Sequence, residues 1–268
     1  MRTDSSPLSA FTKHWALLRE LVKRDIQGRY KGSSFGIAWS LITPFLMLMV
    51  YTFAFGIVMK GTWPQSGPEK SSFAIILFAG LIVYGFFAEC VNRAPTLITD
   101  NANYVKKVIF PLEILPWQLI LSGLFHMVMN LIVFTVLHFA IDGKISAYSP
   151  LIFVVVLPLV PLTIGLVWFL SALGVYLKDM AQVIGLVTTA ILFLSTVLIP
   201  PSAVPASFKA VVNLNPISPI VNQARKVLIW EQMPDWSVLG IYSVIALLIA
   251  ATGYYFFQKT REGFADVI

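Results

Sequence analysis

Between Lys31 and Lys60 the chain carries no charged side chain, and the eight residues just before that run, Arg24 to Lys31, hold four charges. A charged side chain at the centre of a bilayer helix costs roughly 2.5 to 3.5 kcal/mol, so membrane spans exclude them. So abrupt a boundary marks the step from water into hydrocarbon. The rest of the chain repeats it, with apolar runs at about 72–92, 112–140, 150–177, 181–199 and 237–257. Only 12% of the residues are charged, against about 25% in soluble domains, and 57% are hydrophobic. The expectation is an all-α integral membrane protein with six transmembrane helices. The net charge of +6 has two readings, nucleic acid or anionic lipid. The basic residues lie mainly between apolar runs, which favours lipid headgroups over nucleic acid. One cysteine, Cys90, rules out an internal disulfide framework and any cysteine-based metal site. Residues 1–33 are too polar and too long to be the positive start of a cleavable signal peptide.

Residues 8–28 read as an amphipathic helix. Phe11, Trp15, Leu18 and Val22 recur at three- and four-residue spacing, with Lys13, Arg19, Lys23 and Arg24 around them. Such a helix lies in the membrane interface or packs on a soluble partner; the basic flank favours the interface. The first span, 34–59, reaches about 39 Å at 1.5 Å per residue, enough to cross with tilt. Residues 200–235 hold Pro200-Pro201, Pro205, Asn215-Pro216 and Pro219. Within them, 202–213 and 217–230 are apolar but too short to span, so they are expected to be re-entrant or interfacial. The domain plan is an interfacial segment at 1–33, a six-span membrane domain at 34–258 and a tail at 259–268. Six spans place both termini on one side. That side holds thirteen Lys/Arg and the other six, so both termini are expected to be cytoplasmic.

Few residues look chemical. Gly56 to Thr62 has phosphate-loop glycine spacing but lacks the lysine after the second glycine, and it follows a span rather than a strand. No nucleotide site is therefore expected in this chain, and no cofactor. His126 and His138 are about 18 Å apart along one helix, too far to share a metal. Glu89 and Arg93 sit four apart at the end of the second span, either as a stabilising pair or as a gate contact. Arg24, Arg29 and Lys31 stand at the membrane boundary. There they are placed to anchor the chain to lipid headgroups. Aromatic faces stack on sugar rings, and Tyr30, Trp39, Tyr51, Tyr84, Phe86 and Phe87 are the candidates for lining a conduit.

Gly28-Arg29-Tyr30-Lys31-Gly32-Ser33 through Gly36-Ile37-Ala38-Trp39-Ser40-Leu41-Ile42-Thr43-Pro44 closely resembles the start of type-2 ABC exporter permeases of the polysaccharide subgroup. Asn103 to Pro111, Ala172 to Asp179 and Asn215 to Ile220 resemble three later stretches of that family, in register. The resemblance implies an interfacial helix, six spans and re-entrant half-helices between spans five and six. It implies a homodimer in the inner membrane whose interface forms the conduit, served by two copies of a separate cytosolic ATPase. Residues 94–110 would dock on that ATPase through Asp100, Asn101, Asn103, Tyr104, Lys106 and Lys107. The implied substrate is a lipid-linked glycan such as O-antigen, capsule or teichoic acid, with its diphosphate meeting Arg24, Arg29 and Lys31. Two alternatives stand beside it. One is a permease for a drug or simple lipid. The other is a membrane-embedded transferase, which would need acidic or histidine residues clustered at a membrane edge; in the sequence they are scattered.

Overall fold

The computed structural model describes residues 11–58, 63, 73–105 and 110–268, and among them there is no strand. Lys106 and Lys107 lie outside the described residues. Five helical stretches are long and apolar enough to cross a membrane: Gly36–Ala54, Phe73–Arg93, Ile114–Asp142, Ser149–Tyr176 and Trp236–Val267.

Helix α1, Trp15–Tyr30, buries Leu18 and Leu21. Leu21 packs on Ile114, Tyr104 and Phe110, which docks α1 across one end of the bundle. Trp15, expected on the apolar face, is 48% exposed. The first span begins with a tight turn at Gly36–Ala38 and continues as α2, Trp39–Tyr51. It then widens into a π-helical segment, Thr52–Val58. Helix α3, Phe73–Arg93, is the centre of the molecule: 78% of its apolar window is buried, against 17% for the first span. It packs on α4, Ile114–Asp142, and on α2.

The fourth span breaks at Leu157-Pro158, where proline offers no N–H, and resumes as α5, Leu159–Tyr176. Its partner is α8, Trp236–Thr260. The two cross backbone to backbone: a Cβ on Gly253 would strike the Gly165 carbonyl, and one on Gly165 would lie 2.6 Å from the Ala250 Cα. In lipid, where apolar burial drives little association, such small-residue crossings supply the packing.

The fifth span needs correction. A helix was expected over 181–199, but α6 runs only Met180–Phe193. Fourteen residues rise about 21 Å, short of the ~30 Å hydrocarbon core. At its end Asn215 Nδ2 donates to the Ile191 and Leu194 carbonyls, and just beyond it the Thr196 and Val197 carbonyls bind Arg225 at 2.5 and 2.7 Å. Arg225 belongs to α7, Ser218–Leu228, the second of two short helices between α6 and α8; the first is Lys209–Leu214. Between them the Pro216 carbonyl accepts from the Tyr242 hydroxyl, nearly two turns into α8. The tail also folds back rather than trailing. Phe264 is fully buried, and Arg261 pairs with Glu113 at 3.1 Å. The C-terminus and α1 therefore meet at the same end of the bundle, around the start of α4.

Candidate functional site

At that end, α1, the foot of α3 and the start of α4 enclose a cavity of about 550 Å³. Arg24, Asp25, Gly28 and Arg29 of α1 line it from one side. Arg93, Thr96, Leu97, Asp100 and Asn101 close the second side, and Gln118 of α4 the third. Gly28 keeps the first wall open, since a Cβ there would meet nothing within 4 Å. The volume falls in the ~300–1,000 Å³ range of small-ligand sites.

The charges are organised by helical spacing. Asp25 and Arg29 stand one turn apart on α1, as do Glu89 and Arg93 on α3, and the two pairs interlock crosswise. Arg93 grips Asp25 with both terminal nitrogens, at 2.6 and 3.2 Å. Arg29 Nη2 holds Glu89 Oε1 at 2.6 Å. The Glu89–Arg93 pair expected from their spacing is the loosest of the set, at 3.7 Å. Burial alone would raise the Asp25 carboxyl, but the Arg93 bond and charge, with Ser122 and Arg29 nearby, outweigh it and hold Asp25 below its ordinary value. His126 Nδ1 lies 2.9 Å from Glu89 Oε1 and 3.2 Å from Arg29 Nη1. Arg24 donates to the Tyr104 hydroxyl, with its guanidinium 5.5 Å from the ring centroid.

Sequence reasoning missed Asp25, Gln118, Ser122 and His126 as parts of one site. The signal was present: Gln118, Ser122 and His126 recur every fourth residue in the mainly apolar first half of α4. Gln118 Oε1 and His126 Nε2 are buried with no hydrogen-bond partner among the described residues. The ionisable residues that look scattered in sequence are thus gathered by the fold. Glu89 and Asp25 are nonetheless each held by an arginine. The cluster therefore offers charge and hydrogen bonds rather than a free general base.

The other sequence candidates are placed as follows. Lys31 is exposed beyond the end of α1 and is not part of the cavity wall. Tyr30 is half-buried, with its ring 6.2 Å from that of His126. Trp39 and Tyr51 are half-buried on the first span. Tyr84 donates to the Thr188 carbonyl at 3.0 Å, tying α3 to α6. Phe86 and Phe87 are 2% and 1% exposed. They pack in the core of the bundle, which corrects the expectation that they face a conduit. Of the coupling candidates, Asp100 and Asn103 are exposed and Asn101 lines the cavity. Tyr104 stacks on Phe110 at 4.3 Å. His138 faces Asp142 at 3.1 Å, far along α4 from His126.

Fold and cavity together define a multi-helix membrane protein with a polar, arginine-lined chamber at the end that holds α1 and the C-terminal tail. Residues 16–229 match the family model described as ABC-2 type transporter, and the chain belongs to that family. It is thus the membrane-embedded component of a transporter rather than an enzyme, and in this family the ATPase is separate. It is similar to a protein of Myxococcus xanthus named O-antigen export system permease protein RfbA, 27% identical over 94% of this chain and 95% of the relative. A Klebsiella pneumoniae protein of the same name is 23% identical over the same shares. The Escherichia coli polysialic acid transport protein KpsM is 22% identical over 95% of this chain and 96% of its own length.

Proposed function

We propose that the chain is the permease subunit of an ATP-driven exporter that moves a lipid-linked polysaccharide, of the O-antigen kind, from the cytoplasm across the inner membrane. The observation that carries this reading is the chamber lined by Arg24, Arg29 and Arg93 beside the interfacial helix. The guanidinium groups of Arg24 and Arg29, with Arg93 fixed against Asp25 beside them, suit the diphosphate of a polyprenyl-linked glycan. The apolar flanks of α1 and α2 suit its lipid tail. The unpartnered Gln118 Oε1 suits a sugar hydroxyl. The relatives' names, for O-antigen and polysialic acid transport, support a glycan over a drug or simple lipid.

In this reading the chain works as a homodimer with two ATPase copies, both termini cytoplasmic and the chamber facing the cytoplasm. The first span and α6 line the conduit between the two copies, with Trp39, Tyr51 and Tyr30 as sliding faces for sugar rings. The segment from Pro95 to Tyr104 docks on the ATPase, with Lys106 and Lys107 completing the contact. A Cβ on Gly174 would strike the Pro95 carbonyl, so this segment is packed rigidly on α5 and can pass a push into the bundle. Lys209–Leu214 and α7 form the re-entrant pair on the opposite side. Substituting Arg29→Ala is expected to abolish export and glycolipid-stimulated ATP hydrolysis while the protein still inserts. Unchanged export and stimulation would refute the diphosphate site. Transport in cells lacking glycan synthesis would favour the drug or lipid alternative.

A further inference from the structure

Asp25 and Asp100 lie on the cavity wall, and a third carboxylate, Glu89, lies beside it and pairs with one of its lining arginines. Glu89 reaches Arg29 at 2.6 Å, the position on that guanidinium that a phosphate oxygen would take. Arg29 is 38% exposed at its side chain and Glu89 only 17%, so the arginine stands toward the opening and the carboxylate behind it. A ligand arriving from outside meets the free edge of Arg29 before it meets Glu89.

The acidic partner also has somewhere to go. Buried carboxylates are costly to leave unpaired. Glu89 Oε1 already lies 2.9 Å from His126 Nδ1 and 3.7 Å from Arg93 Nη1. His126 Nδ1 faces both Glu89 and Arg29, and one nitrogen cannot donate to the carboxylate and accept from the guanidinium at once. Departure of Arg29 resolves that conflict: Nδ1–H donates to Glu89, and Arg93, while still bound to Asp25, stays 3.7 Å away as a shared positive neighbour. Arg24 is held by a neutral partner, Tyr104, and so keeps its full charge for the ligand. The Arg93–Asp25 pair, made by both nitrogens, stays as the fixed floor.

We propose that Glu89 is an internal stand-in for the substrate diphosphate, which binds by taking Arg29 from Glu89 and passing Glu89 to His126. This inference rests on the diphosphate reading above. It adds a residue that sets the affinity threshold of the site: the pair with Glu89 holds α1 against α3 until a dianionic ligand outcompetes a single carboxylate. A monoanionic lipid headgroup, with one phosphate, has no such advantage.

The test measures binding of farnesyl diphosphate to the full chain in nanodiscs of uncharged lipid, with farnesyl methyl phosphate, a monoanionic monophosphate diester, as the comparison. Glu89→Gln is expected to bind the diphosphate about fivefold more tightly, the scale of a partly exposed ion pair. It is also expected to narrow the preference over the monophosphate and to lower thermal stability. A purely structural Glu89 would lower stability without raising affinity. The charge swap Arg29→Glu with Glu89→Arg is expected to recover stability but not binding. Should Glu89→Gln fail to assemble, Glu89→Asp loosens the same pair and is expected to tighten binding by a smaller factor. If Arg29→Ala weakens binding but neither Glu89 variant tightens it, the stand-in is refuted and the site survives. If Arg29→Ala binds as wild type does, both fall.

Discussion

Asp25 shows how a single residue ties the chamber together. It sits on α1, is gripped by Arg93 of α3 and approaches Ser122 of α4. Its carboxyl is held below the ordinary value of 3.8, so its folded form prefers the charged state. A lowered carboxylate contributes stability above its unfolded value and loses it as pH falls through the folded one. The stability difference between wild type and Asp25→Asn is therefore expected to be constant above about pH 5 and to vanish as pH drops below 3.8. Thermal melts in detergent across that range check it, with a neutral-pH loss of about 1–3 kcal/mol. Gly28 makes the opposite kind of prediction. Filling its open wall with Gly28→Leu removes a helix-interior glycine, worth roughly 0.5–1 kcal/mol in stability. It also obstructs the cavity, so melting temperature is expected to hold or rise while glycolipid-stimulated ATP hydrolysis falls. At this scale the sequence was only partly legible. Arg24 and Arg29 were readable from the charge boundary. Their partners were not, because Asp25, Glu89 and His126 are brought together by three different helices and no local spacing reports that.

Among the elements, charge and hydropathy located most helices within a few residues, since hydrocarbon imposes one rule along their whole length. The second span was expected at 72–92 and found at Phe73–Arg93, the sixth at 237–257 and found at Trp236–Thr260. The failure at α6 has a physical cause. An apolar run does not say where its carbonyls bond, and those of Thr196 and Val197 bond to a side chain about thirty positions away. Arg225 is fully buried, reaches the Ile76 carbonyl at 3.0 Å as well, and lies 4.4 Å from the Trp63 ring centroid. Arg225→Ala leaves the Thr196 and Val197 carbonyls without a donor, removes a second donor from the helical Ile76 carbonyl, and is expected to cost about 3 kcal/mol or more. Arg225→Lys is expected to rescue little, because one ammonium cannot replace a planar fork that reaches three separate carbonyls. Limited proteolysis of the 200–217 segment would register the loosening. Where α5 and α8 cross, Gly253→Leu is expected to separate the two helices and lower yield in the membrane, with little effect on α1 or the chamber.

For the whole molecule, coverage is uneven. The first span is 17% buried over its apolar window and α3 78%, so one chain surrounds its centre and leaves its first crossing open. A second copy seated there would cover it. Met49 is 55% exposed on that span, and the native Cys90 is buried. Met49→Cys is expected to give an oxidant-dependent dimer on non-reducing gels, while Leu247→Cys, on the open side of α8, is expected to give none. The reverse result would move the interface to α8. The carbonyl clamp on Arg225 bears finally on biogenesis. Among the described residues this guanidinium hydrogen-bonds carbonyls and no acidic side chain, so until the clamp forms its charge has no home in lipid. Ile76, Thr196 and Val197 all precede Arg225 in the chain and leave the ribosome first. The receptor for the arginine is thus complete before the arginine arrives, and α7 can leave the translocon only by docking onto helices already inserted.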